Sequence, residues 1–384
     1  MRVNTIRLFF ALLKAGLWEG ASVLETFGTS DQGRANVKVD WGMVYQLAEE
    51  QSVIGVVLAG IERLKNANVH LNLNQELLLQ WIGEVQVQEQ QNMAMNLFIE
   101  RLVGKMREAG IYTLLVKGQG VAHCYAKPLW RSSGDVDLFL SDDNYEKAKR
   151  FLMPLASSVE DEGIKNKHLG LTIEGFVVEL HGTLYSGLST RIDRVLDEIK
   201  KDTFYGGNVR SWLNGNTQVF LMGINNDIIY VFTHILQHFY KGGIGIRQIC
   251  DWCRLLWRYR TELNQRLLEF RIKQMGLMNV WKGFAAFAVE YLGMPVEAMP
   301  FYSTDRKWKK KASRICSFVM EVGNFGHNRD SSYYNNDLKL IRKAASFGRR
   351  CSDMMRHAKI FPLETFRFFP YMIYSGLIAV ARGE

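Results

Sequence analysis

Apolar residues recur every three or four positions over the first hundred residues, as in Val44, Leu47, Val53, Val56, Val57 and Ile61, then Met95, Phe98, Ile99, Leu102 and Met106. That period predicts a helical N-terminal region over 1–110. The stretch 66–74 between these runs is polar, and Asn74 is a candidate cap for a long helix beginning at Glu76 and running toward Gly110. From Ile111 the pattern changes to a continuous β-prone run, 111–116, closed by Gly118-Gln119-Gly120, with a short helix predicted over 121–126. A second strand, Asp135-Val136-Asp137-Leu138-Phe139-Leu140, is followed by Ser141-Asp142-Asp143 as the cap of a helix over 145–153. Two further strands, 169–173 and 176–180, flank Glu174-Gly175, a two-residue turn of the hairpin kind. Beyond Ile224 the helical period returns, with Ile228, Ile229, Val231, Phe232, Ile235, Leu236 and Phe239 on one face and loops near 294–304 and 323–336.

The expected organisation is therefore α+β. A mixed-sheet core over 111–222 lies between helical regions over 1–110 and 223–384.

Composition supports a packed protein: 47% of the 384 residues are hydrophobic, 23% are charged and only 6 are proline, unlike a disordered chain. Five dispersed cysteines form no even disulfide framework and point to a reducing compartment, the cytoplasm. The first apolar run, after Arg2 and Arg7, is cut short by Lys14, so a helix is expected there in place of a signal peptide. The apolar stretch 366–381 is interrupted by Arg367 and Pro370 and is too short to cross a bilayer of about 30 Å.

Net charge is 48 − 39 = +9, and residues 301–384 alone carry 16 Lys/Arg against 7 Asp/Glu, so the whole excess sits near the C-terminus. Runs such as Lys309-Lys310-Lys311 and Arg349-Arg350 suit either a solvated helix face or a phosphate-rich partner such as nucleic acid.

Asp135 and Asp137 are two apart on a predicted strand and share one face. Burying two like charges beside Val136, Leu138 and Phe139 costs several kcal/mol per uncompensated ion, which a divalent cation with oxygen ligands would offset. The bland reading is a pair of strand-end or capping acids. Glu179, in Val177-Val178-Glu179-Leu180-His181, would add a third carboxylate if its strand neighbours the first. Three acids are equipment for two Mg²⁺ ions. Gly118, Gln119 and Gly120 offer backbone N–H groups at a helix start, and Lys117 and Arg131 flank them as candidate phosphate contacts or surface cations.

Taken together, Lys117-Gly118-Gln119-Gly120, Arg131, Asp135-Val136-Asp137 and Val178-Glu179-Leu180-His181 resemble the nucleotidyltransferase superfamily of DNA polymerase β-like folds, and within it an uncharacterised bacterial nucleotidyltransferase family. The resemblance covers 114–181. It implies a Mg²⁺-dependent transfer of a nucleoside monophosphate from a nucleoside triphosphate to a hydroxyl acceptor. Asp135, Asp137 and Glu179 would ligate two metal ions and perform catalysis, while Lys117, Gly118, Gln119, Gly120, Arg131 and Ser133 would hold the nucleotide. Gln119 departs from the Gly-Gly or Gly-Ser common at this turn, which keeps open a nucleotide-binding or partner-binding protein that has lost turnover. Nucleic acid is a further candidate acceptor through the basic C-terminal region.

His234 and His238 share a face of a predicted helix, and Arg247 and Asp251 share a face of the next. His234, His238 and Arg247 are candidates to face the cleft and touch nucleotide or acceptor, and His181, on the face of Glu179, to line the acceptor site or hydrogen-bond to Glu179. The alternative is an Arg247–Asp251 pair worth about 0.2–0.5 kcal/mol, with the histidines satisfying buried polar groups. A zinc site drawing on His234, His238 and perhaps Cys250 and Cys253 fits no standard ligand spacing. Tyr125 and Trp130 are expected to pack in the core in preference to stacking on a base.

Overall fold

The computed structural model describes residues 2–19, 39–163, 167–323 and 339–381. Helices α1 (Arg2–Leu17), α2 (Trp41–Glu50), α3 (Ile54–Asn66) and α4 (Gln75–Glu108) precede the first strand. Asn74 caps α4 as its sequence predicts, accepting a hydrogen bond from the Glu76 amide. The strands are β1 (Thr113–Val116), β2 (Asp135–Leu140), β3 (Ser158–Val159), β4 (His168–Ile173), β5 (Phe176–His181), β6 (Val209–Asn214) and β7 (Thr217–Met222). They form one sheet in the order β3-β4-β5-β2-β1-β7-β6. It is mixed: β2 runs parallel to β5 and β1 to β7, and the remaining neighbours are antiparallel.

Alternation along each strand decides what faces what. Val136, Leu138, Leu140, Val178 and Leu180 join one core cluster with Met95, Phe98, Ile99 and Leu102 of α4 and with Tyr145 and Leu152 of α6 (Asp142–Leu152). Phe139 belongs to a second, larger cluster on the opposite side of the sheet. Asp135 and Asp137 therefore share Phe139's side, and Glu179 and His181 do the same on β5. Burying Phe139 contributes about 1.5–3 kcal/mol and seats the acid-bearing strand against the helices that follow.

Those helices are α7 (Thr190–Phe204), α8 (Ile224–Lys241), α9 (Ile246–Arg258), α10 (Gln265–Met275), α11 (Met278–Glu290), α12 (Arg306–Val322), α13 (Lys339–Ile360) and α14 (Pro362–Ala381). The larger cluster takes in residues from α1 to α14, and within it Trp252, Trp281 and Phe284 pack around Phe232. Among the described residues no helix is long and apolar enough to cross a membrane.

Several boundaries differ from the sequence reading. The glycine turn is itself the helix α5, Gly118–Ala122, with no separate turn before it. Strand β1 starts two residues later than the apolar run, because Gly110 at φ +70° and the Ile111 amide close the end of α4. The hairpin β6–β7 is an addition, turning at Gly215, whose φ is +55°. Most of the expected 323–336 loop lies outside the described residues, as do the side chains of Arg342, Lys343, Arg349 and Arg350 on α13.

Candidate active site

Parallel pairing of β2 with β5 places Asp137 beside Glu179 and Phe139 beside His181. The condition on the third acid is met. Oxygen atoms of Asp135, Asp137 and Glu179 lie within 4.8 Å of one another. Such an all-oxygen donor set fits a hard divalent cation of the Mg²⁺ type.

The like charges leave a signature in their acidities. The Asp137 charge, followed by burial, raises Asp135 above the ordinary carboxylate range. Burial pushes Glu179 the same way, but hydrogen bonds from His168 and His181 and the nearby Lys117 charge outweigh it and hold Glu179 well below that range. Lys117 forms an ion pair with Asp137, Nζ to Oδ1 at 2.7 Å. Although burial disfavours its charge, Asp137 and the surrounding acids hold Lys117 firmly protonated. The His181 Nε2 atom donates to Asp137 Oδ1 at 2.7 Å and lies 3.3 Å from Glu179 Oε2. Its pKa is shifted upward: burial works against the charged form, but the hydrogen bonds to Asp137 and Glu179 overcome it.

Backbone strain brings Lys117 there. Lys117 has φ +56°, a left-handed value unusual for a side-chain-bearing residue, and Gly118 follows at φ +38°. A Cβ on Gly118 would stand 3.2 Å from the Asp135 carbonyl oxygen, so the turn needs glycine both for its dihedral and for its approach to β2. At Gly120 a Cβ would press on Leu221 at 3.1 Å. Gln119 points away from the cleft: its amide nitrogen donates to Asn92 Oδ1 at 2.8 Å and sits 3.6 Å from Met95 Sδ.

Above the acids a pocket is lined by Lys117, Gly118, Arg131, Asp135, Asp137, His234, Arg247, Gln248 and Asp251. Within it the two arginines differ. Arg131 is 3% exposed and clamps Asp251 with two hydrogen bonds, Nε to Oδ1 at 3.1 Å and Nη2 to Oδ2 at 2.6 Å. Its Nη1 donates to Ser133 Oγ, and the Tyr125 hydroxyl donates to the same Asp251 oxygen. The partner of Asp251 is thus Arg131, across the cleft floor, in place of Arg247 one turn back. Arg247 donates to the Ser132 carbonyl at 2.9 Å and leaves its buried Nε without a partner. Burial and then the neighbouring Arg131 charge lower its pKa, as befits a cation short of counter-charge.

His234 lines the pocket and His238 hydrogen-bonds to it, Nε2 to Nε2 at 3.0 Å. Burial, then the Lys117 charge, pushes His234 well down and His238 down to about 4, so both are neutral at pH 7. Cys250 and Cys253 are buried in the large core cluster, away from these acids. Trp130 spends its indole N–H on Glu89.

His168 is the residue the sequence reading passed over. It stands opposite His181 in the β4–β5 hairpin and 3.1 Å from Glu179 Oε2. The signal was present: a two-residue Glu174-Gly175 turn pairs Ile173 with Phe176, and counting back five residues on each strand pairs His168 with His181.

Residues 37–293, more than half of the chain, match the model of a family described as uncharacterised nucleotidyltransferase. No curated protein matches the chain. The matched interval begins just before α2 and ends past α11; it contains the whole sheet and the α8–α9 pocket wall, and leaves α12 to α14 outside.

Proposed function

Because the chain belongs to this uncharacterised nucleotidyltransferase family, we propose that it transfers a nucleoside monophosphate from a nucleoside triphosphate to a hydroxyl acceptor in a Mg²⁺-dependent reaction. The observation that carries this reading is the convergence of Asp135, Asp137 and Glu179 from two paired strands, the first two of them lining a pocket together with Lys117 and Arg247. The three carboxylates would hold the Mg²⁺ ions, which neutralise triphosphate charge and favour loss of a proton from the acceptor hydroxyl.

The protein's own groups do the rest. Lys117, held protonated between carboxylates, and Arg247, with a buried N–H to spare, would take phosphate oxygens. Arg131 and Ser133 would position the start of β2 from behind, since the guanidinium is already engaged by Asp251. Backbone N–H groups of Gly118, Gln119 and Gly120 would face the leaving pyrophosphate. Glu179, kept ionised by its two histidines, suits ligation better than proton abstraction. His181 orients Asp137, and His234 with His238 would present neutral hydrogen-bonding edges to nucleotide or acceptor. Catalysis would come from positioning and charge complementarity.

Gln119 turns its side chain to Asn92, so its departure from the common Gly-Gly or Gly-Ser turn puts no side chain into the cleft and gives no reason to prefer a purely binding role. The core over 111–222 would carry the chemistry, and the helical regions over 1–110 and 223–384 would complete the cleft. A nucleic-acid acceptor would find Arg306, Lys307, Lys309 and Lys310 together on the surface of α12. The free cysteines suit a cytoplasmic setting.

The test is a thermal-shift titration with ATP, CTP, GTP and UTP, each with and without Mg²⁺, followed by pyrophosphate release in the presence of candidate acceptors. A nucleotide at a hundredfold excess over its Kd should stabilise the protein by about 2.7 kcal/mol. The reading requires that this shift depend on Mg²⁺ and vanish in the Asp135→Ala/Asp137→Ala protein. A shift that survives the double substitution would sink it.

A further inference from the structure

Glu179 faces two environments at once. On one side are the oxygens of Asp135 and Asp137, and on the other are two imidazoles. His168 and His181 are directly paired across β4 and β5, with ring centroids 4.9 Å apart. Their Nε2 atoms lie 3.1 and 3.3 Å from the same Glu179 oxygen, Oε2. All three donor atoms fall within 4.8 Å of one another. Residue 170, opposite Glu179, is glycine, so no side chain stands between the carboxylate and the imidazoles. The Glu160 carboxylate folds over Gly170 on that face and adds negative charge at the rim.

Separations near 3 Å are those of neighbouring ligands around one small ion. Bonds of about 2.0–2.2 Å to nitrogen and oxygen in a tetrahedral arrangement place adjacent donors about 3.3 Å apart. Two strands locked by a two-residue turn hold the imidazoles in this arrangement. The donor chemistry differs from that of the acid cluster: imidazole suits Zn²⁺, Co²⁺ and Ni²⁺, whereas Mg²⁺ takes oxygen.

We propose that His168, Glu179 and His181 form a site for one divalent transition-metal ion of the Zn²⁺, Co²⁺ or Ni²⁺ type, sharing Glu179 with the oxygen-only position of Asp135 and Asp137. The ion takes the place of the Nε2 protons, which His168 now directs at Glu179 Oε2 and His181 at Asp137 Oδ1; each imidazole then carries its proton on Nδ1. Three protein ligands leave a coordination position open, as in metal sites that act on a bound molecule. The site does not depend on nucleotide, so it stands or falls apart from the transfer reaction.

The test uses the full chain, stripped with a chelator and titrated at neutral pH with Co²⁺ alone. Visible d–d absorption reports the ligand field, and calorimetry reports stoichiometry and affinity. The expected result is one Co²⁺ per chain, weakened tenfold or more by His168→Ala and by His168→Gln, the scale on which altered ligand shells act. Asp135→Asn should change Co²⁺ affinity less than His168→Ala does, and excess Mg²⁺ should leave the absorption band in place. His168 is about one third exposed, and His168→Gln keeps a hydrogen-bond donor for Glu179, so its metal-free melting midpoint should stay near the parent's even where the alanine, which removes that donor, lowers it. Wild-type Co²⁺ affinity in both His168 variants overturns the proposal. So does a Co²⁺ signal that Mg²⁺ displaces and Asp135→Asn abolishes, because the ion would then occupy the acid cluster.

Discussion

Replacing Asp251 with asparagine asks whether Arg131 serves the fold or the substrate. Arg131 and Asp251 are 3% and 6% exposed and meet through two hydrogen bonds, with a third reaching the same carboxylate from Tyr125. In Asp251→Asn the side chain keeps its shape but loses its charge, and either orientation of its amide turns N–H groups toward a donor of Arg131 or Tyr125. An unpaired buried guanidinium is left behind. Breaking one partner of such a pair costs about 3–5 kcal/mol. Urea unfolding would measure it, together with Arg131→Met, Asp251→Leu and their combination. The double variant removes both charges, so it should lose far less than the sum of the singles, with a coupling of about 2–3 kcal/mol. Additive losses, or an Asp251→Asn protein within about 1 kcal/mol of the parent, would refute the clamp and return Arg131 to the list of phosphate ligands.

Arg247→Met should show the opposite profile: stability within about 1 kcal/mol of the parent by urea unfolding, since no carboxylate loses a bonded partner, but a reduced nucleotide-dependent thermal shift. Gly118→Ala forces a side chain into φ +38° and against the Asp135 carbonyl; a loss of about 1–3 kcal/mol is expected, whereas a Cβ on Gly134 would meet nothing within 4 Å, and Gly134→Ala should stay within about 0.5 kcal/mol. His123 is pushed down to about 4 by burial and then by the Arg210 and Arg258 charges. The unfolded chain takes up that proton near pH 6.5 and the folded chain does not, so stability falls as pH drops from about 6.5 to about 4, by roughly 3 kcal/mol for this one group. Urea midpoints of the parent and His123→Gln across that window should converge as pH falls, and parallel curves would show that the imidazole is not held neutral.

Legibility in the sequence followed the range of the interactions. Periodicity located α4 and α8 because a helix face repeats within a few residues, and Asp135 and Asp137 could be placed on one face because a strand alternates by two. Hairpin β6–β7 was equally local, with Gly215-Asn216 between alternating runs, yet Arg210, Asn214 and Gln218 dilute its hydrophobic pattern. Non-local partners were a different matter. Arg247 and Asp251 are spaced as a helix pair should be, a geometry worth a few tenths of a kcal/mol at a surface, but Asp251 is buried, and there a bidentate guanidinium from 120 residues away prevails. Gln119 illustrates the same limit in the other direction. Read along the chain it interrupts a glycine motif; in space it reaches back to Asn92 on α4, so the substitution is answered by a helix that no local pattern could connect to the turn. Its removal as Gln119→Ala should therefore cost about 1 kcal/mol, the worth of one buried hydrogen bond, while leaving Mg²⁺-dependent nucleotide binding intact; loss of that binding at unchanged stability would mean that the side chain, and not only the backbone of the turn, takes part in the site.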